Sequence, residues 1–129
     1  MGIKSTMNGD VAVIALEGDI GMKGNADSLP NVIDELLAEG KRNILVDLQG
    51  VNWVNSEGFG ILLSSNIRVT NANGQFKLMR AGERFNNLYL VMHLHRAFPI
   101  YPTEDEALAS YETGAKPTRY DQGSAEPSS

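Results

Sequence analysis

The stretch that decides the fold is Val51-Asn52-Trp53-Val54-Asn55-Ser56-Glu57-Gly58-Phe59-Gly60. It follows an apolar run at residues 44–48, which is the pattern of a central strand covered on both faces. The apolar residues after Ser56 predict a helix, so the Ser56 hydroxyl is expected at the point where strand turns into helix. Unpaired N–H groups and the positive end of the helix dipole lie there, and they favour a phosphate or an acidic partner group.

Composition limits the class of protein. A length of 129 residues predicts one domain, and 42% hydrophobic with 21% charged residues is typical of a soluble globular protein. No apolar run approaches the roughly 20 residues needed to cross a bilayer. The net charge of −5 and the lack of a basic run argue against nucleic-acid binding. The absence of cysteine excludes disulfides and thiolate metal sites, and we expect a cytoplasmic protein.

The N-terminal part predicts a hairpin followed by a helix. Strands at residues 3–7 and 11–16 flank Asn8-Gly9, a pair that tolerates the positive φ angles of a tight turn. Apolar residues then repeat at helical spacing across residues 29–37. Either Asp27 or Ser28 can cap that helix.

The C-terminal part predicts three further elements after a strand at residues 76–79. A helix at residues 84–92 is expected to bury Phe85, Leu88, Leu90 or Val91, and Met92. A short strand at residues 98–101 precedes a capping box, in which Thr103 and Glu106 open a last helix. We assign residues 1–112 to the domain and expect residues 113–129, rich in Gly, Pro and Ser, to form a disordered tail.

The order of these elements predicts an α/β fold. A single domain with a mixed sheet of about five strands and about four helices follows from it. Short connections through helices imply parallel pairing by right-handed crossovers, while the opening hairpin adds an antiparallel strand.

Three stretches carry a resemblance to a known family: residues 44–48, Val51 to Val54, and the run from Asn55 to Gly60. Together with the order of elements, they resemble the STAS domain of bacterial anti-sigma factor antagonists. That family's signature is an aspartate, a serine, a second serine or threonine, and Gly-Leu-Gly after a hydrophobic strand. The resemblance spans residues 3–111. Asn55, Glu57 and Phe59 depart from the signature, and Gly21 stands where relatives often carry an aspartate.

The resemblance implies a partner-switching regulator of transcription, as in stress responses. Such a domain binds an anti-sigma factor that is also an ATP-binding serine kinase, phosphorylation of its serine breaks the complex, and a serine phosphatase restores it. By motif match, Ser56 would be the phosphorylated residue. We expect no cofactor, no metal, no membrane contact and no enzymatic activity of its own, in a monomer or weak dimer. The predicted partner-binding residues are Gly21, Asn25, Asn55, Ser56, Glu57, Gly58, Phe59, Gly60 and Leu63.

Several alternatives stay open. Ser56 could be a helix cap that is never modified, in a non-switching STAS module that serves as a transporter accessory subunit or a signalling scaffold. A hydrolase nucleophile is disfavoured because the Gly-x-Ser-x-Gly elbow has Val54 in place of its first glycine. A dinucleotide-binding fingerprint is rejected, because Leu63 occupies the position of its third glycine. His93 and His95 are more simply structural or solvated than catalytic, and Trp53 is expected in the core or at a sheet edge.

Overall fold

The computed structural model describes residues 2–21, 23 and 26–114. Asn25 and residues 115–129 of the tail predicted for 113–129 lie outside these residues. The elements follow in the order β1 (Ile3–Asn8), β2 (Val11–Ile20), α1 (Leu29–Ala38), β3 (Asn43–Val54), α2 (Ser56–Asn71), β4 (Gln75–Met79), α3 (Glu83–Val91), a 3-10 turn (Leu94–Arg96), β5 (Ile100–Tyr101) and α4 (Glu104–Thr113).

The five strands form one mixed sheet in the order β1-β2-β3-β4-β5. Strands β1 and β2 pair antiparallel, and every later pair is parallel. This confirms the predicted single α/β domain with a mixed sheet and four helices.

Two apolar layers cover the two faces of the sheet. Because successive side chains of a strand point to opposite faces, Ile44 and Val46 pack into the larger layer while Leu45 packs into the other. The larger layer joins the sheet to α1, α2 and α3. The smaller layer lies under α4, whose Ala107 is completely buried. The face that carries α2 therefore holds most of the core.

The hairpin and β3 differ from the sequence prediction. Asn8 pairs with Val11, so the two-residue loop is Gly9-Asp10, and Gly9 supplies the positive φ of 63°. The predicted Asn8-Gly9 loop is wrong by one residue because Asn8 is used in the ladder. Strand β3 runs unbroken from residue 43 to residue 54, since the far end of β2 stays paired with it through two register shifts.

Helix α3 buries a narrower stripe than predicted. Its buried residues are Phe85, Asn86 and Tyr89, whereas Leu88, Val91 and Met92 are 38%, 72% and 40% exposed. Phe85 and Tyr89 lie one turn apart and face the sheet together, which leaves Leu88 and Val91 on the exposed side. The predicted burial of Leu88 and Met92 is wrong; of the two alternatives Leu90 and Val91, Leu90 is the one that is partly buried against the core.

Caps fix the ends of two other helices. The Thr103 hydroxyl accepts a hydrogen bond from the Glu106 N–H at 3.2 Å, as the capping box predicts. Ser28 occupies the N-cap position of α1 but makes no side-chain capping bond. The Asp27 carboxylate instead accepts from the Gly21 N–H at 2.6 Å, so neither predicted side chain caps α1.

A buried lysine lies between α4 and the sheet. The Lys77 ammonium donates to the Ser110 hydroxyl at 2.8 Å and lies 4.3 Å from the centroid of the Tyr111 ring. Burial lowers the pKa of Lys77. The Tyr111 hydroxyl donates to the Ile44 carbonyl, and burial, together with the nearby Tyr101, raises the pKa of Tyr111 above its usual value.

The raised pKa of Tyr111 predicts a loss of stability at high pH. The unfolded chain releases this proton above about pH 10 while the folded chain keeps it, so the stabilisation is complete below that pH and is lost as pH rises further. One proton corresponds to a fall of up to about 1.4 kcal/mol per pH unit. In Tyr111→Phe we expect the free energy of unfolding to fall less steeply with pH than in the wild type, by that amount per pH unit. Urea denaturation between about pH 9 and pH 11 measures the two slopes. Parallel curves for the two proteins would contradict this.

Candidate protein-interaction site at the start of helix α2

Helix α2 begins at Ser56 because Asn55 caps it. Asn55 has extended backbone angles, and its side-chain Oδ1 accepts a hydrogen bond from the Gly58 N–H at 2.8 Å. Its carbonyl accepts from the Phe59 N–H at 3.0 Å. The interpretation of Ser56 as the cap is therefore wrong. Serine and asparagine are equally favoured at this position, so the sequence alone did not distinguish them.

Ser56 is the first residue of α2 and is exposed. Within the described part of the chain its hydroxyl makes no hydrogen bond. Glu57 follows in the same first turn and is exposed as well. A carboxylate there is favourable to the helix dipole by about 0.3–1 kcal/mol. The site therefore presents a hydroxyl to solvent that the helix does not need for its own capping.

Two glycines allow the end of β2 to press against this first turn. Gly21 has a φ of +107°, and a Cβ there would lie 1.9 Å from Asn55 Oδ1. A Cβ on Gly58 would lie 2.3 Å from the Ile20 carbonyl oxygen. The Asp27 carboxylate holds the Gly21 N–H from the other side. The end of β2, Gly21 and the start of α2 are thus packed together.

The predicted contact residues divide by exposure. Ser56, Glu57 and Gly60 are exposed, while Asn55 and Leu63 are half-buried. Three other predicted contact residues are buried: Gly21, Gly58 and Phe59. Phe59 is 1% exposed, and its ring centroid lies 4.9 Å from that of Phe85 in the core. Its position on the inward stripe of α2 explains the difference.

A shallow groove beside this site was missed by sequence reasoning. Pairing of β3 with β4 ends at Asp47 and Met79, so the last part of β3 extends past its neighbour. A groove of about 230 Å³ lies between this extension and α3. Trp53, 41% exposed, and Leu88 line it. Trp53 thus lies at a sheet edge, which is one of the two placements that the sequence predicted for it.

Ion pairing secures the point where β3 leaves β4. Arg80 donates to both carboxylate oxygens of Asp47, with the closer nitrogen at 2.7 Å. The same carboxylate accepts from the Gln49 N–H at 3.0 Å. Asp47 is 8% exposed, so this pair is partly shielded from water. It holds the base of the extension that leads to Ser56.

The described residues contain neither a cluster of metal ligands nor a serine–histidine pair at Ser56. In residues 2–21, 23 and 26–114, no group of three or more His, Cys, Asp or Glu side chains could hold a metal ion. Over the same residues, Ser56 has no hydrogen bond to an imidazole, which a hydrolase triad would need. The helices described are also too short or too polar to span a membrane.

The fold and the motif together define the class of this chain. The model of the STAS domain family matches residues 3–107. The chain belongs to the STAS domain family, which confirms the resemblance.

Solved structures agree with this assignment. An anti-sigma factor antagonist from Mycobacterium paratuberculosis shares 27% identity, with a TM-score of 0.72 over 84% of this chain and 91% of that one. A Thermotoga maritima protein described as an anti-sigma factor antagonist shares 23% identity and a TM-score of 0.76, covering 84% and 92% of the two chains. SpoIIAA, a Bacillus cell fate determinant solved in its phosphorylated form, shares the fold at 17% identity and a TM-score of 0.65, over 85% and 99%.

Gly58 and Gly60, both near the start of α2, predict opposite responses to a methyl group. Gly58→Ala would force a Cβ against the Ile20 carbonyl, and we expect the free energy of unfolding to fall by about 1–3 kcal/mol. A Cβ on Gly60 would have no other atom within 4 Å. Gly60→Ala should therefore raise the free energy of unfolding by about 0.5–1 kcal/mol through helix propensity alone. Denaturant titration of both variants provides the comparison, and equal effects would refute the packing described.

Proposed function

We propose that this STAS domain is an anti-sigma factor antagonist that acts by partner switching in the cytoplasm. The observation that carries the proposal is Ser56, an exposed serine with no hydrogen-bond partner in the described residues, at the first position of a helix that another residue caps. The likeness to the mycobacterial antagonist supports the same role. In this role the protein binds an anti-sigma factor and performs no catalysis itself.

The partner would contact the exposed surface around the start of α2. Ser56, Glu57 and Gly60 form its outward part, with Asn55 and Leu63 at its margins. Because these residues lie on a helix packed against the sheet, the surface keeps its shape when a partner leaves. A rigid surface of this kind is suited to exchange between partners, since little ordering is needed at each binding event.

Phosphorylation of Ser56 would supply the switch. The Ser56 Oγ forms a bond to the γ-phosphorus of ATP in the partner kinase, the bond from that phosphorus to ADP breaks, and the hydroxyl proton passes to a base of the kinase. The phosphate adds about −1.5 to −2 charges at pH 7 and bulk to the contact surface. Since Asn55 holds the cap, this change leaves the helix start in place. A serine phosphatase would hydrolyse the phosphate and restore binding.

Intact-mass measurement tests the modification. Each anti-sigma-type serine kinase encoded in the source genome is incubated with the full chain and Mg-ATP. We expect one added phosphoryl group on the wild type and none on Ser56→Ala. Ser28→Ala is the matched control, because Ser28 is also exposed, stands at the start of α1 and makes no capping bond. Modification of Ser56→Ala to the same extent as the wild type would contradict the proposal.

Charge at position 56 should control binding of the same kinases. We expect Ser56→Asp to weaken binding by about 1–3 kcal/mol through local repulsion, measured by calorimetry. Ser28→Asp adds the same charge elsewhere on the exposed surface and should leave affinity unchanged. The thermal midpoint of Ser56→Asp should stay close to that of the wild type, because the side chain is exposed and makes no described hydrogen bond. A collapse of that midpoint would show a structural role instead.

A non-switching STAS module is the second candidate function. It is favoured by Asn55 and Glu57, which change the motif on both sides of the serine. In that case the domain would serve as a transporter accessory subunit or a signalling scaffold. Absence of added phosphate, with equal binding by Ser56→Ala and Ser56→Asp, would leave this candidate alone.

A further inference from the structure

We propose that Asn55 is a specificity-determining residue for the modified state, because its side-chain N–H group donates a hydrogen bond to a phosphoryl oxygen on Ser56. This inference rests on the proposed function, in which Ser56 carries the phosphate. It goes further by naming the residue that makes the site a favourable one for a doubly charged phosphate.

The first step is the orientation of the Asn55 side chain. Its Oδ1 accepts from the Gly58 N–H at 2.8 Å, which fixes the oxygen toward the first turn of α2. Gly21 approaches that same oxygen so closely that a Cβ would lie 1.9 Å from it. The side chain is therefore held between the helix and the end of β2. Its Nδ2, bonded to the same carbon as Oδ1, must point elsewhere.

The second step is the availability of that nitrogen. Within the described residues Asn55 Nδ2 makes no hydrogen bond. In the described residues, the one buried side-chain polar atom without a hydrogen-bond partner is His95 Nδ1, so Asn55 Nδ2 is not fully buried. The nitrogen therefore reaches solvent on a half-buried side chain next to Ser56. Ser56 is the next residue in the chain, so the residue that carries the phosphate is the immediate chain neighbour of this donor.

The third step is that capping alone does not require asparagine. Aspartate caps helices equally well through the same oxygen position. The two residues differ in charge and in the N–H donor, which matter to a ligand rather than to the helix. A carboxylate beside a phosphate dianion is repulsive, whereas an amide N–H stabilises it. Glu57 already places one carboxylate in this turn, and on the neighbouring β2 and loop the carboxylates of Asp19 and Asp27 outnumber the ammonium of Lys23. A further negative charge would therefore add to an acidic setting.

The test installs phosphoserine at position 56 during translation and follows its second ionisation by phosphorus NMR. The wild type is compared with Asn55→Gly, which has no side-chain donor and is tolerated at an N-cap, and with Asn55→Asp. The control is Asn71→Asp, an exposed position at the far end of α2 and about 22 Å along the helix, well beyond the screening length of about 8–10 Å. Circular dichroism confirms that each variant is folded.

We expect the phosphate pKa to be higher in Asn55→Gly than in the wild type, because the donor that favours the dianion is gone. Asn55→Asp should raise it by about 0.5 or more, the effect of one charge at about 6 Å in water. Asn71→Asp should match the wild type. A wild-type pKa in Asn55→Gly would overturn the proposal even if Asn55→Asp failed to fold. The installed phosphoserine needs no kinase, so a failure of kinase modification and a failure of this inference give separate results.

Discussion

The hydrogen bond from the Gly58 N–H to the Asn55 side-chain oxygen determines where α2 begins, and the rest of the site depends on that point. Because Asn55 satisfies the helix end, the next residue, Ser56, is left with an exposed hydroxyl that has no described intramolecular partner. The close approach of Gly21 ties the same oxygen to the end of β2. Asn55 thus caps the helix while Ser56 keeps an exposed hydroxyl, so a modification of Ser56 need not disturb the cap.

The sheet supports this arrangement by letting β3 extend beyond β4. Paired only with β2 along its last part, β3 carries the chain out to the helix start and leaves Trp53 at an open edge. The Asp47–Arg80 pair closes the structure where the two strands separate. The core then anchors the helix from beneath through Phe59 and Leu62. The exposed turn is therefore supported by rigid elements on every inward side.

Much of this architecture could be predicted from the sequence. The features that could not be predicted depend on how one element packs against another. The α/β order, the C-terminal capping box and the strand-to-helix turn at Ser56 follow from local pattern alone. By contrast, Asn55 and Ser56 are equivalent as caps, and only the approach of β2 decides between them. Leu88 and Phe85 are both apolar residues of one helix, and their burial depends on which stripe meets the sheet. Phe59 lies within the recognition motif, but its direction is set by the core rather than by the motif.

The assignment of the cap is the central claim, and a comparison of two alanine variants tests it most directly. The free energy of unfolding of Asn55→Ala should fall by about 0.5–2 kcal/mol, the usual cost of losing a capping side chain. That of Ser56→Ala should change by no more than about 0.5 kcal/mol, as for an exposed side chain without a structural role. The reverse order, with Ser56→Ala the costlier change, would show that the serine caps the helix and would contradict the account.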